Sequence, residues 1–259
     1  MLNYKLPFLP ERPDKPRETG LAMVMDKGLS VEEAKNLVSV AGHLIDFMKL
    51  GFGTSIITNN LKEKIKVYRD AGINVYFGGT LFEAFVVRNI FKDYKKYISD
   101  FGVNAVEVSD GSMTMNHNKK CEYISELAKD YIVVSEVGSK DAVVEISNDE
   151  WISQMDTELQ AGSFKVIAEA RESGTVGIYS ADGKANTSLI NDISHKVPLD
   201  KIIWEAPKKT QQVWFIKHFG ANVNIGNVAP FEIISLETLR LGLRGDTFME
   251  FLPDYLKEK

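Results

Sequence analysis

Four glutamates of this chain each end or follow a short run of apolar or β-branched residues. If those runs are neighbouring strands of one parallel sheet, their carboxylates meet at one edge, where unpaired buried charge is costly. A hard divalent cation such as Mg²⁺ is one solution, because it prefers oxygen ligands and often takes only one or two carboxylates together with substrate oxygens. Internal salt bridges are the alternative, although buried ion pairs alone rarely stabilise a fold. We expect the metal ligands to come from Glu107, Glu136, Glu169 and Glu205.

Five cationic residues occupy similar positions after such runs. A group of this kind could surround a small polyanion, and arginine suits bidentate recognition of phosphate or carboxylate. Lys49, Lys140 and Arg171 could instead form internal salt bridges, and any of the five could simply be solvated. For Lys208, which stands just before a predicted helix, anion binding and solvation are equally open. The five residues are Lys27, Lys49, Lys140, Arg171 and Lys208.

Small and polar residues at the same segment ends complete a predicted substrate site. Glycine lets the backbone approach a ligand closely, while N–H and hydroxyl groups supply donors. Gly226 and Asn227 follow the eighth apolar run, a position where barrel enzymes frequently bind phosphate. The four histidines and Cys121 fall in predicted helices or their flanks, with no base indicated beside the thiol, and we interpret them as structural. The predicted substrate-binding residues are Gly51, Gly79, Thr80, Ser109, Gly226 and Asn227.

From Gly20 onward the chain alternates short apolar runs with amphipathic stretches long enough for helices, which is typical of a parallel sheet with crossover helices. Eight such units predict an α/β fold of the (β/α)₈ TIM-barrel type, whose usual length of about 250 residues fits this chain. An open doubly wound sheet more often has five or six strands, and no GxGxxG fingerprint follows the first run. The predicted strands are Leu21–Met25, Leu44–Leu50, Asn74–Phe77, Ala105–Val108, Ile132–Glu136, Lys165–Ala168, Ile202–Glu205 and Asn222–Ile225.

The elements around these strands have recognisable boundaries. The segment from Ser30 to Glu33 predicts a helix that starts with a capping box, and Leu81–Phe101 predicts one long helix. Residues 1–18 are rich in proline and charge and predict an extended N-terminal arm. Residues 19–259 are then a single barrel domain.

Composition narrows the range of partners. Acidic residues outnumber basic ones 36 to 31, and no block of lysine and arginine suits nucleic acid or an anionic membrane, so we expect small anionic substrates.

Cys121 is the only cysteine, which excludes an intrachain disulfide and predicts a cytoplasmic location. No apolar run approaches the ~18 residues of a membrane helix. We expect a homo-oligomer, because barrels often associate and the apolar arm residues Leu6, Phe8 and Leu9 could dock on a neighbour.

Several strings at the predicted strand ends occur together in one order. They are Lys49-Leu-Gly-Phe-Gly-Thr-Ser55, Gly78-Gly-Thr-Leu-Phe-Glu83, Glu107-Val-Ser-Asp-Gly-Ser112, Ser135-Glu-Val-Gly138, Glu205-Ala-Pro207 and the segment from Leu236 to Thr247. A set of this kind is far more specific than any one string. From about Gly20 to Thr247 the chain resembles the phosphosulfolactate synthase family of coenzyme M biosynthesis.

The resemblance implies a Mg²⁺-dependent enzyme that joins sulfite to C3 of phosphoenolpyruvate, giving 2-phospho-3-sulfolactate. Attack by sulfur builds negative charge on the carboxylate, which Mg²⁺ would stabilise, and a general acid then protonates C2. A lysine whose pKa is lowered by burial and neighbouring cations could be this acid near neutral pH. We expect Lys140 in that role, with Lys49 second. Phosphate and sulfite would be neutralised by Arg171 with Lys27 or Lys208.

Two other functions fit the same residues. A barrel aldolase or isomerase of another small phosphorylated acid or sugar would use the same mouth with a lysine Schiff base or a different electrophile. A non-catalytic barrel protein is the second, because the wider family resembles heat-stress-associated plant proteins and a shared fold need not mean a shared reaction.

Overall fold

The computed structural model describes residues 3–138, 146–170 and 173–257. Eight parallel strands alternate with helices along these residues: β1 (Ala22–Asp26), β2 (Phe47–Leu50), β3 (Asn74–Phe77), β4 (Ala105–Val108), β5 (Ile132–Val137), β6 (Lys165–Ala168), β7 (Ile202–Glu205) and β8 (Ile225–Val228). Hydrogen bonds join them in the order β3-β2-β1-β8-β7-β6-β5-β4. Since β3 and β4 lie against each other, the sheet forms a nearly closed barrel. The predicted (β/α)₈ barrel is confirmed.

The α-helices of the described residues pack around this barrel. The single helix predicted over Leu81–Phe101 is wrong, because Asn89 adopts a left-handed φ of 58° and the chain turns there. None of the helices in the described ranges has the length and apolar character needed to span a membrane. The helices are α1 (Val31–Ala41), α2 (Leu61–Asp70), α3 (Gly79–Val86), α4 (Phe91–Phe101), α5 (His117–Leu127), α6 (Asn148–Ala161), α7 (Thr187–Lys196), α8 (Lys209–Phe219), α9 (Ile233–Arg240) and α10 (Asp254–Lys257).

Two strands begin three residues later than predicted. β8 begins at Ile225, because at Asn224 the side chain replaces the backbone as the partner of β1, although the Asn224 carbonyl still accepts the N–H of Trp204. The Asn224 Oδ1 atom accepts the N–H of Leu21 at 3.0 Å, and Nδ2 donates to the carbonyl of Ile202 at 3.0 Å. In β2 the delay comes from a 3₁₀ turn over Gly42–Leu44.

Side chains along each strand point alternately into and out of the barrel, so the inward-pointing side chains form layers, each of one chemical kind. The lower level is a layer of apolar side chains in mutual contact: Leu21, Met23, Phe47, Tyr76, Ala105, Val134, Ile167 and Ile203. A residue two positions further along a strand points to the same side. In five of these strands that residue is charged, and it is Lys49, Glu107, Glu136, Glu169 or Glu205. The fold therefore collects one lysine and four glutamates in a charged layer at the carboxyl-terminal mouth.

The barrel is closed between β3 and β4 by side chains. In the described structure no backbone ladder joins these two strands. Asn104 bridges them instead, since its Oδ1 accepts the N–H of Val75 at 2.9 Å and its Nδ2 donates to Asn74 Oδ1 at 2.6 Å. At the mouth end of this seam, Gly79 donates its N–H to Glu107 Oε1 at 2.5 Å. The seam thus ends beside the charged layer.

The N-terminal arm crosses the opposite, amino-terminal face of the barrel. Arg12 Nε pairs with Glu237 Oε1 of α9 at 2.9 Å, and Arg17 Nε pairs with Asp46 Oδ1 at 2.9 Å. Glu18 meets the ammonium of Lys165, at the start of β6, at 3.2 Å. These ion pairs fix the arm at the end of the barrel that lies away from the charged layer.

Candidate active site

The ammonium group of Lys49 lies at the centre of the charged layer. Its Nζ atom is 2.9 Å from Glu107 Oε2, 3.4 Å from Glu136 Oε2 and 3.5 Å from Glu205 Oε1. Lys49 is 6% exposed, and none of the three glutamates exceeds 1%. Because so little water screens these charges, they interact strongly.

Protonation of the layer follows from these contacts. Burial lowers the pKa of Lys49, but attraction to Glu107, Glu136 and Glu205 outweighs burial and raises that pKa well above its ordinary value. Burial raises the pKa of Glu205 to about 7; the nearby Lys49 opposes this, while repulsion from Glu136 and Glu107 adds to it. The lowered lysine pKa expected of a general acid is therefore not found at Lys49. Although Lys49 lies between them, Glu136 and Glu107 still repel the carboxylate of Glu205.

Three of the glutamates stand close enough to share one cation. One carboxylate oxygen from each of Glu136, Glu169 and Glu205 lies within 4.8 Å of the others. Glu205 Oε2 accepts the N–H of Ala170 at 3.1 Å, whereas its Oε1 has no hydrogen-bond partner in the part of the chain that the structure describes. A buried donor set made only of carboxylate oxygens suits a hard cation such as Mg²⁺. The fourth predicted ligand, Glu107, lies outside this group.

Glu107 is held by the first turn of α3. The N–H of Gly79 reaches Glu107 Oε1, and the positive end of the helix dipole faces the carboxylate. A Cβ atom on Gly79 would lie 2.0 Å from Ser109 Oγ and 2.7 Å from Glu107 Oε1. The absence of a side chain at Gly79 is therefore what allows the helix to approach β4 so closely.

A cavity of about 300 Å³ opens above the charged layer. From the predicted site it contains the four glutamates, Lys49, Gly79, Thr80 and Asn227. Sequence reasoning missed four of its residues, although strand alternation indicates Met25 in β1 and the Gly-Phe-Gly string singles out Phe52. The lining residues are Met25, Lys49, Phe52, Gly78, Gly79, Thr80, Glu107, Glu136, Glu169, Ser173, Glu205 and Asn227.

Asn227 has two unusual properties for a residue at a strand end. Its φ of 58° lies in the left-handed region, and its Oδ1 is buried with no hydrogen-bond partner within the described ranges. A buried acceptor left in this state costs about 1–3 kcal/mol, and strained backbone clusters at functional sites. Both properties support the predicted contact of Asn227 with a ligand.

Two predicted glycines contribute packing below the cavity. A Cβ on Gly226 would lie 2.7 Å from Met23 Cε and 2.9 Å from Ile203 Cγ2, and one on Gly51 would lie 3.1 Å from Met25 Sδ. Neither glycine lines the cavity. The small size of Gly226 lets the inner apolar residues fill the barrel under the charged layer, and that of Gly51 leaves room for Met25 of the cavity wall.

Other predicted site residues lie elsewhere. The Ser109 hydroxyl donates to Glu83 and does not line the cavity. Lys208 is exposed at the start of α8, and the exposed Lys27 stands at the rim, with Nζ 5.8 Å from the centre of the Phe52 ring. The predicted general acid Lys140 and the predicted anion ligand Arg171 lie outside the described residues.

A buried lysine supports the charged layer from behind. Lys120 Nζ in α5 donates to the backbone carbonyl of Glu136 at 2.6 Å and to Asp110 Oδ1 at 2.8 Å. The same ammonium pairs with Glu158 Oε1 of α6 at 2.8 Å. Lys120 and Glu158 are fully buried. This lysine ties the end of β5 to the loop after β4 and to two helices.

The only cysteine does have a histidine beside it, contrary to expectation. His117 Nε2 lies 3.6 Å from Cys121 Sγ. Burial raises the pKa of the Cys121 thiol, however, and a raised pKa disfavours the reactive thiolate. The interpretation of Cys121 as a non-nucleophilic residue therefore still stands as a prediction.

A family model described as (2R)-phospho-3-sulfolactate synthase (ComA) matches residues 10–246. The chain belongs to the phosphosulfolactate synthase family. The phosphosulfolactate synthase of Bacillus subtilis is 42% identical over 243 residues, which cover 93% of this chain and 96% of that relative. The phosphosulfolactate synthase of Methanocaldococcus jannaschii is 42% identical over 238 residues, with 89% and 94% covered. As a member of this family, the protein is an enzyme, and a lyase assignment agrees with formation of a C–S bond.

The chain also has more distant likenesses, one in sequence and others in fold. The heat-stress-associated protein 32 of Arabidopsis thaliana is 23% identical over 261 residues, with 89% of this chain and 88% of that relative covered. Among solved structures, the YdjI aldolase of Escherichia coli has a TM-score of 0.52 at 9% identity, with 82% and 75% covered. The 3-hexulose-6-phosphate synthase of Salmonella typhimurium has a TM-score of 0.53 at 13% identity, with 86% and 100% covered. These two solved structures share the barrel fold with this chain.

Proposed function

We propose that this enzyme adds sulfite to C3 of phosphoenolpyruvate with the help of Mg²⁺, giving 2-phospho-3-sulfolactate. The observation that carries the proposal is the buried layer of Lys49 and four glutamates under a cavity at the barrel mouth. Membership of the phosphosulfolactate synthase family supplies the reaction, and the layer supplies groups that suit it.

Three neighbouring glutamates would hold the ion: Glu136, Glu169 and Glu205. Burial raises the pKa of Glu205, repulsion from Glu136 and Glu107 adds to it, and the closeness of the three carboxylates is the physical reason for a cation there. The chemistry that Mg²⁺ supplies when bound is stabilisation of negative charge on substrate oxygens. Glu107 is proposed to position Lys49, which it contacts directly.

Lys49 is proposed to act as a fixed cation. Its raised pKa keeps it protonated, so its ammonium can attract the substrate carboxylate on which charge accumulates during attack by sulfur. A lysine that holds its proton this firmly is also a poor amine nucleophile, which argues against a Schiff-base aldolase that uses Lys49.

The proton delivered to C2 is proposed to come from Lys140. One bond forms between sulfur and C3, the C2–C3 double bond becomes single, and C2 then takes the proton. Arg171 with Lys27 or Lys208 is proposed to neutralise phosphate and sulfite, and Thr80 and Asn227 to bind substrate from the cavity wall. Holding two anions together is expected to supply much of the rate acceleration.

The direct test mixes the purified enzyme with phosphoenolpyruvate and sulfite, with and without Mg²⁺, and follows the sulfonated product by mass. We expect product only when all three are present. Lys140→Ala should abolish product without unfolding the protein, and near wild-type turnover of this variant would remove Lys140 from the mechanism. An active enzyme in the presence of chelator would contradict the role of Mg²⁺.

We also propose that the enzyme is cytoplasmic and forms a homo-oligomer. The single cysteine suits a reducing compartment. Exposed apolar side chains of the arm, including Leu6 and Phe8, support self-association. Light scattering coupled to size exclusion would measure the mass in solution, and a monomer at micromolar concentration would contradict the proposal.

A further inference from the structure

Phe52 combines three properties that rarely occur in one residue. Its φ of 56° is left-handed, a conformation that is a genuine outlier for a bulky side chain. The residue is half exposed, at 51%, and it nevertheless lines the cavity above the charged layer. Neither folding nor solubility explains an exposed aromatic ring on a strained backbone.

The loop around Phe52 holds this conformation from both sides. The N–H of Gly51 donates to the carbonyl of Asp26 at 3.1 Å, and the N–H and hydroxyl of Thr54 both donate to the carbonyl of Gly51, at 3.0 and 2.8 Å. Lys27 adds a cation above the ring at 5.8 Å from its centre. Strain persists only where surrounding contacts impose it, and it is concentrated at ligand contacts and active sites.

The cavity wall has one apolar side. Among its described lining residues, Met25 and Phe52 are the large apolar side chains, and the glutamates and Lys49 form the floor. In phosphoenolpyruvate the phosphate and the carboxylate are charged, and the C3 methylene is the end that carries no charge. The phosphate and the carboxylate are expected to bind at the charged floor and the cations. The methylene is then left to face the apolar side of the cavity.

We propose that Phe52 is a specificity-determining residue that contacts the C3 methylene of the substrate and limits the size of substituents on that carbon. This inference rests on the proposed function. The strained backbone at Phe52 is then the cost of placing a ring over the reacting carbon. A smaller side chain relieves the strain and admits a larger substrate.

A competition assay tests the proposal. Phosphoenolpyruvate and its 3-methyl analogue are mixed in equal amounts with sulfite and Mg²⁺, and the ratio of the two sulfonated products is measured by mass. A pocket discriminates one methylene by roughly 10–200-fold, so Phe52→Gly should raise the proportion of the methylated product by about tenfold or more. Phe52→Leu keeps most of the bulk and should stay near the wild-type ratio.

Thermal unfolding separates this role from a structural one. Glycine accepts a left-handed φ without strain, so Phe52→Gly should melt at or above the wild-type temperature. Ile57→Gly is the matched control, because Ile57 is 82% exposed in the same loop and does not line the cavity; it should leave the product ratio unchanged.

Two results would overturn the inference: an unchanged product ratio in Phe52→Gly, or a melting temperature lowered more by Phe52→Gly than by Ile57→Gly. A wild-type enzyme that makes no sulfonate from phosphoenolpyruvate would instead overturn the proposed function, and this inference with it.

Discussion

The backbone N–H of Gly79 donates to Glu107 Oε1 at 2.5 Å across the seam between β3 and β4. This contact adds to the Asn104 bonds that join the two strands lacking a backbone ladder, and it orients a carboxylate of the charged layer. Glu107 in turn contacts Lys49 at 2.9 Å. Barrel closure and site geometry therefore depend on the same pair of residues.

Gly79→Ala should damage both. The new methyl would lie 2.0 Å from Ser109 Oγ, so α3 must move away from β4 and release Glu107. We expect a loss of stability of about 1–3 kcal/mol, measured by urea unfolding, together with a large loss of turnover. Gly245→Ala is the control, since a Cβ there meets nothing within 4 Å. Wild-type activity in Gly79→Ala would show that the helix has room to move.

Glu205→Gln should separate ion binding from folding. The raised pKa of Glu205 shows that its charge is unfavourable in the metal-free protein, so the neutral amide should leave the metal-free melting temperature unchanged or higher. The increase in melting temperature on adding Mg²⁺, which we expect in the wild type, should shrink or vanish. Glu63→Gln, at a side chain that is 57% exposed, serves as control. An undiminished Mg²⁺ effect in Glu205→Gln would exclude Glu205 as a ligand.

Lys120→Met should be strongly destabilising. It leaves the fully buried carboxylate of Glu158 without the ammonium 2.8 Å away, and breaking a buried pair from one side costs about 3–5 kcal/mol. Replacing both partners, in Lys120→Met with Glu158→Leu, removes the isolated charge and should recover part of the loss. Urea unfolding of the three proteins measures this. A double variant no more stable than the single one would locate the cost in the lost bonds to the Glu136 carbonyl and Asp110.

The arm should make stability depend on pH. Burial raises the pKa of Glu237, but the hydrogen bonds and charge of Arg12 outweigh it and hold that pKa below its ordinary value. A depressed folded-state pKa gives stability that is present above the unfolded pKa, about 4.3 for glutamate, and that is lost as the pH falls through the folded value.

Glu237→Gln should therefore cost on the order of 1.5 kcal/mol at pH 7, and its difference from wild type should shrink below about pH 4. Unfolding in urea at several pH values measures this difference. A difference that stays constant down to acid pH would show that charge plays no part in docking the arm.

The barrel and its charged layer could be predicted from sequence because both follow from strand periodicity. Residues two positions apart on a strand share a face, and in a closed barrel this relation makes both Lys49 and Glu107 point inward at the same end. Roles decided by distant contacts could not be predicted. Nothing in the string around Ser109 indicates that its hydroxyl faces Glu83, and the side-chain bonds of Asn224 that delay β8 come from strands far away in the chain.

The pKa of Lys49 shows the same limit. Sequence indicates a buried lysine, and burial alone lowers a lysine pKa, whereas the number of glutamates within contact distance reverses the sign. Only the geometry supplies that number.

The seam between β3 and β4 is bonded differently from every other strand contact of the barrel. Seven of its eight strand contacts are backbone ladders, whereas this one depends on the amide of Asn104 and on Gly79 with Glu107. Local opening begins where strands are held together most weakly, so amide protons along β3 and β4 should exchange with deuterium sooner than those of β1 and β8. A ligand in the barrel mouth that draws Glu107 towards the other glutamates would stabilise the seam. The rate of deuterium exchange along the seam would then report the occupancy of the site.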